Sequence, residues 1–531
     1  MTVTYETLLK QDFELGYGAA SRINPQGGTM TGDKIGIHTF SPNHYNVLDF
    51  GALGDGSTDD TTAIQSCITQ CKTDGAILLF PPGKTFKVTD TLFLGRAATA
   101  DPYIKVVEGW GATVTGAISN KPIFDWVGGH GPNRSMRGLT IDGDDSVTPS
   151  CGLLMTRPDV TPVISSGLGL MQNLYFTGDY QTSCVYNVQS ETNLWLFCYF
   201  TNNSGESAFI CTDTNSRGLT SPNATIEAES TGTIQWFYGC TFNYKRDPSV
   251  ATSSCVEFES WVGAYLDHCQ FNDDANDIPA IRLDADTAEP RNGASLADIK
   301  IQNCSFHSSI DRGLVITGDI GGVRNISLRD CRYAAAGFST ADVVIDAGFT
   351  LRHCDFEIQT KFDASGANTD LYNDCKIRSI SDAILGAVTV LVARQCEADI
   401  WLRSTDTLTL SGSNAQKKGY VHYTDTGMVL PLGGKLIAFT ADDATPDVSA
   451  GDVFYTANTG VTITAFEMAG GITPGKTFTL LIQDGNTVID FTQASLLGNG
   501  GDSWAAPNGS TLRATANSVG NKWHCIIEDG S

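Results

Sequence analysis

The sequence predicts an all-β protein, most of it a parallel β-helix, and three observations carry that reading. A six-residue pattern with a cysteine or small residue at its fourth position recurs along the middle of the chain. One short amphipathic helix precedes the repeats, where it can cover the open end of a solenoid. Alternating apolar runs without the repeat follow, beyond about residue 430.

The pattern appears as MQNLYF from Met171, WLFCYF from Trp195, FYGCTF from Phe237 and LDHCQF from Leu266. It continues as IQNCSF from Ile301, LRDCRY from Leu328 and LRHCDF from Leu351, then fades through YNDCKI and ARQCEA. Its cysteines are Cys198, Cys240, Cys269, Cys304, Cys331, Cys354, Cys375 and Cys396. Their spacing falls from 42 residues (198 to 240) to 21 (354 to 375, and 375 to 396). Intervals in the low twenties fit one turn of three short strands, and longer ones add loops. Identical positions stacked about 4.8 Å apart form ladders of like side chains. The expectation is therefore one file of eight buried thiols followed by a file of aromatic rings. The chain has 15 cysteines but no CxxC pair, so no zinc or other metal site built on the cysteines is expected.

Composition excludes some functions. Of the 531 residues, 41% are hydrophobic and 18% charged, which argues against disorder. The net charge of −25 repels nucleic acid and anionic membranes, and solubility is its simplest role. Met1 to Tyr17 lack an apolar signal core, and no apolar run can span a bilayer. Neither a signal peptide nor membrane insertion is expected.

DDTTAIQSCITQCKTD at 59–74 puts Ile64, Cys67, Ile68 and Cys71 on one helical face, with Gly75 beyond the end. The flanks, YNVLDFGALGDGSTDDTTAIQ from Tyr45 and GAILLFPPGKTFKV from Gly75, resemble the opening motif of the pectate-lyase-like superfamily, which includes many bacteriophage tailspikes. That resemblance implies a right-handed parallel β-helix. It also implies a parallel homotrimer in the virion tail, made in the bacterial cytoplasm and acting on a surface polysaccharide. SRINPQGGTMTGDKIG from Ser21 resembles a tailspike neck, the part that attaches to the phage tail or baseplate. The ordered catalytic motifs of polygalacturonases are not reproduced, and Gly129-His130-Gly131 reads as a loop.

Candidate chemistry lies on another strand of each turn. AFICTD from Ala208, ATIEAE from Ala224, CVEFE from Cys255, IRLDAD from Ile281, LVITGD from Leu314 and VVIDA from Val343 align by alternation. On that alignment Cys211, Glu227, Glu257, Asp284, Thr317 and Asp346 form one outward column. Asp213, Glu229, Glu259, Asp286 and Asp319 form the next. Stacked carboxylates raise one another's pKa, which keeps one protonated as a general acid. Glu227, Glu257, Glu259, Asp284 and Asp286 are therefore the candidate catalytic residues. A diagonal pair at roughly 8 Å suits an inverting glycosidase. Glu229, Trp236, Trp261 and Arg282 are candidate substrate-binding residues. Hydrolysis needs no cofactor, although an oxygen-rich cluster also suits Ca²⁺.

The expected division is a neck at 1–43, the β-helix at 44–430 and a C-terminal antiparallel β-sandwich at 431–531, for trimerisation or glycan binding. Asp484-Gly485 reads as a hairpin turn there. The leading function is an endo-glycosidase that depolymerises O-antigen or capsule. The alternatives are a polysaccharide lyase and a non-catalytic adhesin.

Overall fold

A computed structural model describes residues 44–528 apart from connecting segments, the longest being 157–168, 222–232, 245–253 and 286–295. The expected neck, His130, Asp213, Glu227, Glu229, Asp286, Asp319 and Asp346 lie outside the described residues. The described chain is a parallel β-helix followed by a smaller pair of sheets with their own core.

Helix α1 (Thr61–Asp74) covers the first turn. Ile64, Cys67, Ile68 and Cys71 are buried in the core, as their spacing predicts. Asp60 at its N-cap does not cap the helix through its side chain. Its carboxylate instead accepts from the backbone N–H groups of Leu53 (2.7 Å) and Gly54 (3.0 Å). Gly75 ends the helix at φ +63°, a conformation that costs glycine nothing.

One face of the β-helix is a sheet of twelve strands, all parallel. Six of these frame the candidate site: β1 (Cys151–Thr156), β2 (Ser183–Val188), β3 (Ser207–Thr212), β4 (Ser254–Glu259), β5 (Pro279–Ala285) and β6 (Arg312–Gly318). Phe209, Val256, Ile281 and Leu314 lie opposite one another on successive strands and fill the interior. The remaining strands form a second, larger sheet.

Two files of left-handed residues mark corners of the helix. Asn173, Phe197, Gly239, His268, Asn303 and Asp330 form one, with φ between +50° and +61°. Thr192, Ile234, Gly263, Asp298, Asn325, His353 and Asp374 belong to the other. These explain the repeat: from Cys198 to Cys375, the residue before each cysteine of the pattern is one that turns a corner.

They also split the expected single thiol file. Cys198, Cys240, Cys269, Cys304 and Cys331 each follow the first corner. The Cys240, Cys269 and Cys304 thiols donate to the carbonyls of Trp195 (3.4 Å), Phe237 (3.6 Å) and Leu266 (3.5 Å) on the preceding turn. Leu328 then pairs with Phe356 rather than Leu351, and the N–H of Asp355 donates to Ile326. Cys354 therefore stacks over Ile326 at the second corner, with Cys375 next to it. Cys396 lies opposite Leu371. The repeat continues while its place in the turn shifts, so the file of eight is five, two and one. All described thiols are free and buried. The aromatic file holds from Phe176 through Phe200, Phe242 and Phe271 to Phe306, with rings stacked 5.0–5.3 Å apart.

The β-helix ends where Tyr420–Tyr423 pairs antiparallel with Met428–Pro431. Beyond it, a six-stranded and a three-stranded sheet share a core that includes Phe454, Ile463, Phe478, Ile489 and Trp523. The expectation of purely antiparallel sheets is corrected here. Leu436–Ala438, Val453–Tyr455 and Thr477–Leu481 are parallel neighbours, and only then do Thr511–Ala516 and Trp523–Glu528 run antiparallel. The long connections between the parallel strands permit such crossovers. Gly485 (φ +63°) leads from one sheet to the other rather than closing a hairpin, because Thr477–Leu481 and Val488–Ile489 belong to different sheets.

Candidate active site

The site lies on the outward face of β4 and β5. Alternation places Val256 and Phe258 inside, so Glu257 and Glu259 point away from the helix interior. Outward does not mean exposed. All six residues of β4 are buried, and the Glu257 side chain is 1% exposed.

The register differs from the sequence alignment in two places. Glu257 lies opposite Arg282, and Glu259 opposite Asp284. A two-residue slip leaves every side chain on its predicted face, so alternation cannot detect it. Thus Glu257 and Asp284 are a diagonal pair. On β3 the slip is one residue: Phe209, not Ile210, lies opposite Val256. Cys211, expected outward, is therefore inside the core, and Ile210 faces out under Leu219.

Two guanidinium groups hold the carboxylates. Arg217 ion-pairs with Glu206, with Glu259 and, at 3.1 Å, with Oε2 of Glu257. Arg282 places Nε 3.5 Å from Oε1 of Glu257 and Nη2 2.8 Å from Oδ2 of Asp284. The Ser207 hydroxyl is 3.5 Å from Oε2 of Glu257. Oε1 of Glu257 is buried without a hydrogen bond. Burial, reinforced by the Glu259 charge, pushes the Glu257 carboxyl up to about 8, although Arg217 and Arg282 pull the other way. Burial works against the Arg217 charge, but Glu257, Glu259 and Glu206 outweigh it and raise its pKa. Asp284 is the most accessible of the three predicted acids that lie among the described residues, its side chain 22% exposed against 9% for Glu259. Burial thus favours the protonated form of Glu257 against the pull of the two guanidinium groups, and Asp284 beside it reaches solvent.

Glu206 and Arg217 escaped the sequence reading. Both lie outside the repeat, and only the ion pairs reveal them. Trp236 faces outward on the other sheet, its ring stacked on Tyr265 at 6.0 Å. It does not share the face of the carboxylates. Trp261 is corrected as a substrate-binding residue. It is fully buried in the core, with Nε1 donating to the Gly263 carbonyl at 3.2 Å, and no ring face is open to a sugar. Among the described residues no cluster of three or more His, Cys, Asp or Glu could hold a metal ion. No described helix is long and apolar enough to cross a membrane.

Comparison with known proteins bears on the first turns of the helix. Residues 44–107 match the family model described as rhamnogalacturonase A/epimerase, pectate lyase-like. This opening segment is pectate-lyase-like. Mannuronan C5-epimerase AlgE5 of Azotobacter vinelandii is 33% identical over 113 residues, covering 19% of this chain and 11% of the epimerase. Alginate lyase 7 of the same organism is 32% identical over 117 residues, covering 20% and 13%. The chain thus spans about a tenth of the length of these curated relatives. Among solved structures, ORF18 of Geobacillus virus E2 has a TM-score of 0.33 at 20% identity, covering 59% of this chain and 61% of that one. The Dettilon tailspike protein has a TM-score of 0.31 at 14% identity, covering 78% and 75%.

Proposed function

We propose that this chain is a polysaccharide depolymerase that cleaves bacterial O-antigen or capsule by hydrolysis, with Glu257 as general acid and Asp284 as general base. The observation that carries the reading is the buried Glu257 carboxyl, which keeps its proton near pH 7. A group of that kind can protonate a leaving glycosidic oxygen. Asp284, diagonal to it across one strand spacing, stands roughly 8 Å away at the backbone, which suits a water between acid and base. A carboxyl separation in the same range gives inversion at the anomeric carbon. Glu259 takes the supporting role of raising the Glu257 pKa. Glu227, Glu229 and Asp286, on flanking segments, remain candidates for substrate contact or catalysis, and Trp236 for binding sugar away from the carboxylates.

The same proposal extends to assembly. The chain acts as a homotrimeric tailspike in the virion, attached to the phage tail through residues 1–43. Light scattering should give three times the chain mass. The test of function is incubation with a panel of purified surface polysaccharides. New reducing ends without the ultraviolet absorbance of an unsaturated uronate support hydrolysis. Binding of every glycan without cleavage overturns it in favour of an adhesin.

A lyase is the second reading, favoured by the similarity of the first turns to epimerases and an alginate lyase. Arg282, between Glu257 and Asp284, could then neutralise a uronate carboxylate. An unsaturated product identifies it.

A further inference from the structure

The segment carrying Arg217, Leu219 and Ser221 runs back along the helix axis over the outward face of the twelve-stranded sheet. It is fastened at three levels. The Arg217 side chain meets Glu257 and Glu259 on β4, and its backbone N–H donates to the Tyr186 hydroxyl of β2 at 3.2 Å. Leu219 packs with Leu154 of β1, Tyr186 of β2 and Ile210 of β3, a buried cluster separate from the main core. The Ser221 hydroxyl donates to Asp125, a fully buried carboxylate on the strand preceding β1. This explains why β2 and β3 are buried along their whole length: one side of each faces the interior, and the other lies beneath this strap.

We infer that Arg217 is a positioning residue for the carboxylate group: the strap delivers its guanidinium to a fixed point, where it holds Glu257 and Glu259 in one geometry. The inference rests on the hydrolase reading for its kinetic consequence but not for its structural one. Without a cation between them, Glu206 and Glu259 would repel one another and disfavour any ionisation of Glu257. A planar fork with five donors can hold several carboxylates at once, and no other residue type does so as well. Among the described residues, the groups that face Glu257 are Glu206 from before β3, Ser207 from β3, Glu259 from β4, Arg282 and Asp284 from β5, and Arg217 from the strap. Arg217 and Arg282 are the cations among them. Removing Arg217 leaves Glu257 with the same burial and the same acidic neighbours but one cation fewer, so its proton is held more tightly.

The test compares Arg217→Met, Arg217→Lys and Tyr186→Phe with the parent. The last removes only the hydroxyl that fixes the strap. Two readouts are followed against pH: the rate of polysaccharide cleavage, and the infrared C=O band of protonated Glu257, assigned by its loss in Glu257→Gln. In Arg217→Met the band midpoint and the alkaline limb of the rate should both rise, by roughly one to three pH units. The maximal rate should fall by about a hundredfold, the usual cost of a misplaced catalytic group. Arg217→Lys should restore the midpoint more fully than the rate, because an ammonium supplies charge without the fork. Tyr186→Phe should shift both readouts in the Met direction, by less. A midpoint unmoved or lowered in Arg217→Met, or in Tyr186→Phe should the first not fold, overturns the inference. If the parent cleaves no glycan, the hydrolase reading fails alone and the band midpoint still decides the role of Arg217.

Discussion

The Glu257 carboxyl group faces the Arg282 guanidinium across one strand spacing, with 3.5 Å between Oε1 and Nε. Arg282 also reaches Asp284, so a single cation bridges the buried acid and the accessible one. This arrangement separates the two carboxyls along a diagonal and gives them different surroundings. Different surroundings are what allow one carboxyl to give a proton while another takes one.

Glu257→Gln should lower polysaccharide cleavage by about two to four orders of magnitude, the usual worth of a general acid. Glutamine keeps the shape and the burial and removes only the titrating proton. Asp284→Asn should lose as much, and Glu259→Gln less. Polysaccharide binding, read by calorimetry on the inactive variants, should persist. Parent-like cleavage by Glu257→Gln would place the acid elsewhere.

Stability should also report the same proton. Glu257 holds its proton up to about pH 8 in the folded chain, against an ordinary value of 4.5. Between these values the folded state binds a proton that the unfolded state has released, so stability falls as pH rises through that window. The contribution is complete below the lower value and gone above the upper one. Glu257→Gln carries no such proton. In urea titrations it should therefore gain on the parent from about pH 4.5 to about pH 8, within a limit of roughly 1.4 kcal/mol per pH unit. A stability difference that does not change over this range would show that Glu257 is not the buried acid described above.

The fold was legible to the extent that it repeats. The cysteine and aromatic positions revealed the turns because stacking rewards identity at a fixed place. The faces of β4 and β5 were legible too, since Glu257 and Glu259 alternate with Val256 and Phe258. Register was not legible. Glu257 opposite Arg282 and Glu257 opposite Asp284 produce the same inside and outside pattern. In β3, Ile210 and Cys211 are both apolar, so alternation could not choose between them, and the strap burying Ile210 comes from a distant loop. The change of corner at Cys354 was hidden for a related reason. LRDCRY and LRHCDF are nearly the same word, but the left-handed residue of the second, His353, takes the corner that Asn325 holds on the preceding turn, and only the pairing of Thr350–Arg352 with Gly322–Arg324 reveals it.

The thiols should be unreactive in the native protein. Cys240, Cys269 and Cys304 are buried, and burial drives each pKa well above the ordinary thiol value. A thiol reagent should label few cysteines before denaturation and most of them afterwards. Cys269→Ser should destabilise the chain by about 1–3 kcal/mol, because a hydroxyl in this file must find partners that a thiol needs less. Cys269→Ala should instead leave a small cavity. Rapid native labelling at these positions would contradict the closed interior.

Gly239→Ala should be more damaging than a surface glycine substitution has reason to be. Gly239 turns the first corner at φ +61°, where an L-residue pays about 1–2 kcal/mol. The next cost is steric: a β-carbon there would sit 2.6 Å from Cδ1 of Phe197, the corner residue of the preceding turn. Phe197 already occupies the same left-handed conformation at φ +53°, and its ring lies edge-on to Tyr238 at 5.8 Å. Phe197 is 47% exposed, so its ring can turn toward solvent at the expense of that contact. Gly83 separates the two costs, because it has φ +71° with open space around its β position. Gly83→Ala should show the backbone penalty alone, and Gly239→Ala the penalty plus the clash. Thermal unfolding of both variants measures the difference. Equal losses at the two sites would mean that the Phe197 ring moves aside freely and that the corner file carries no packing of its own.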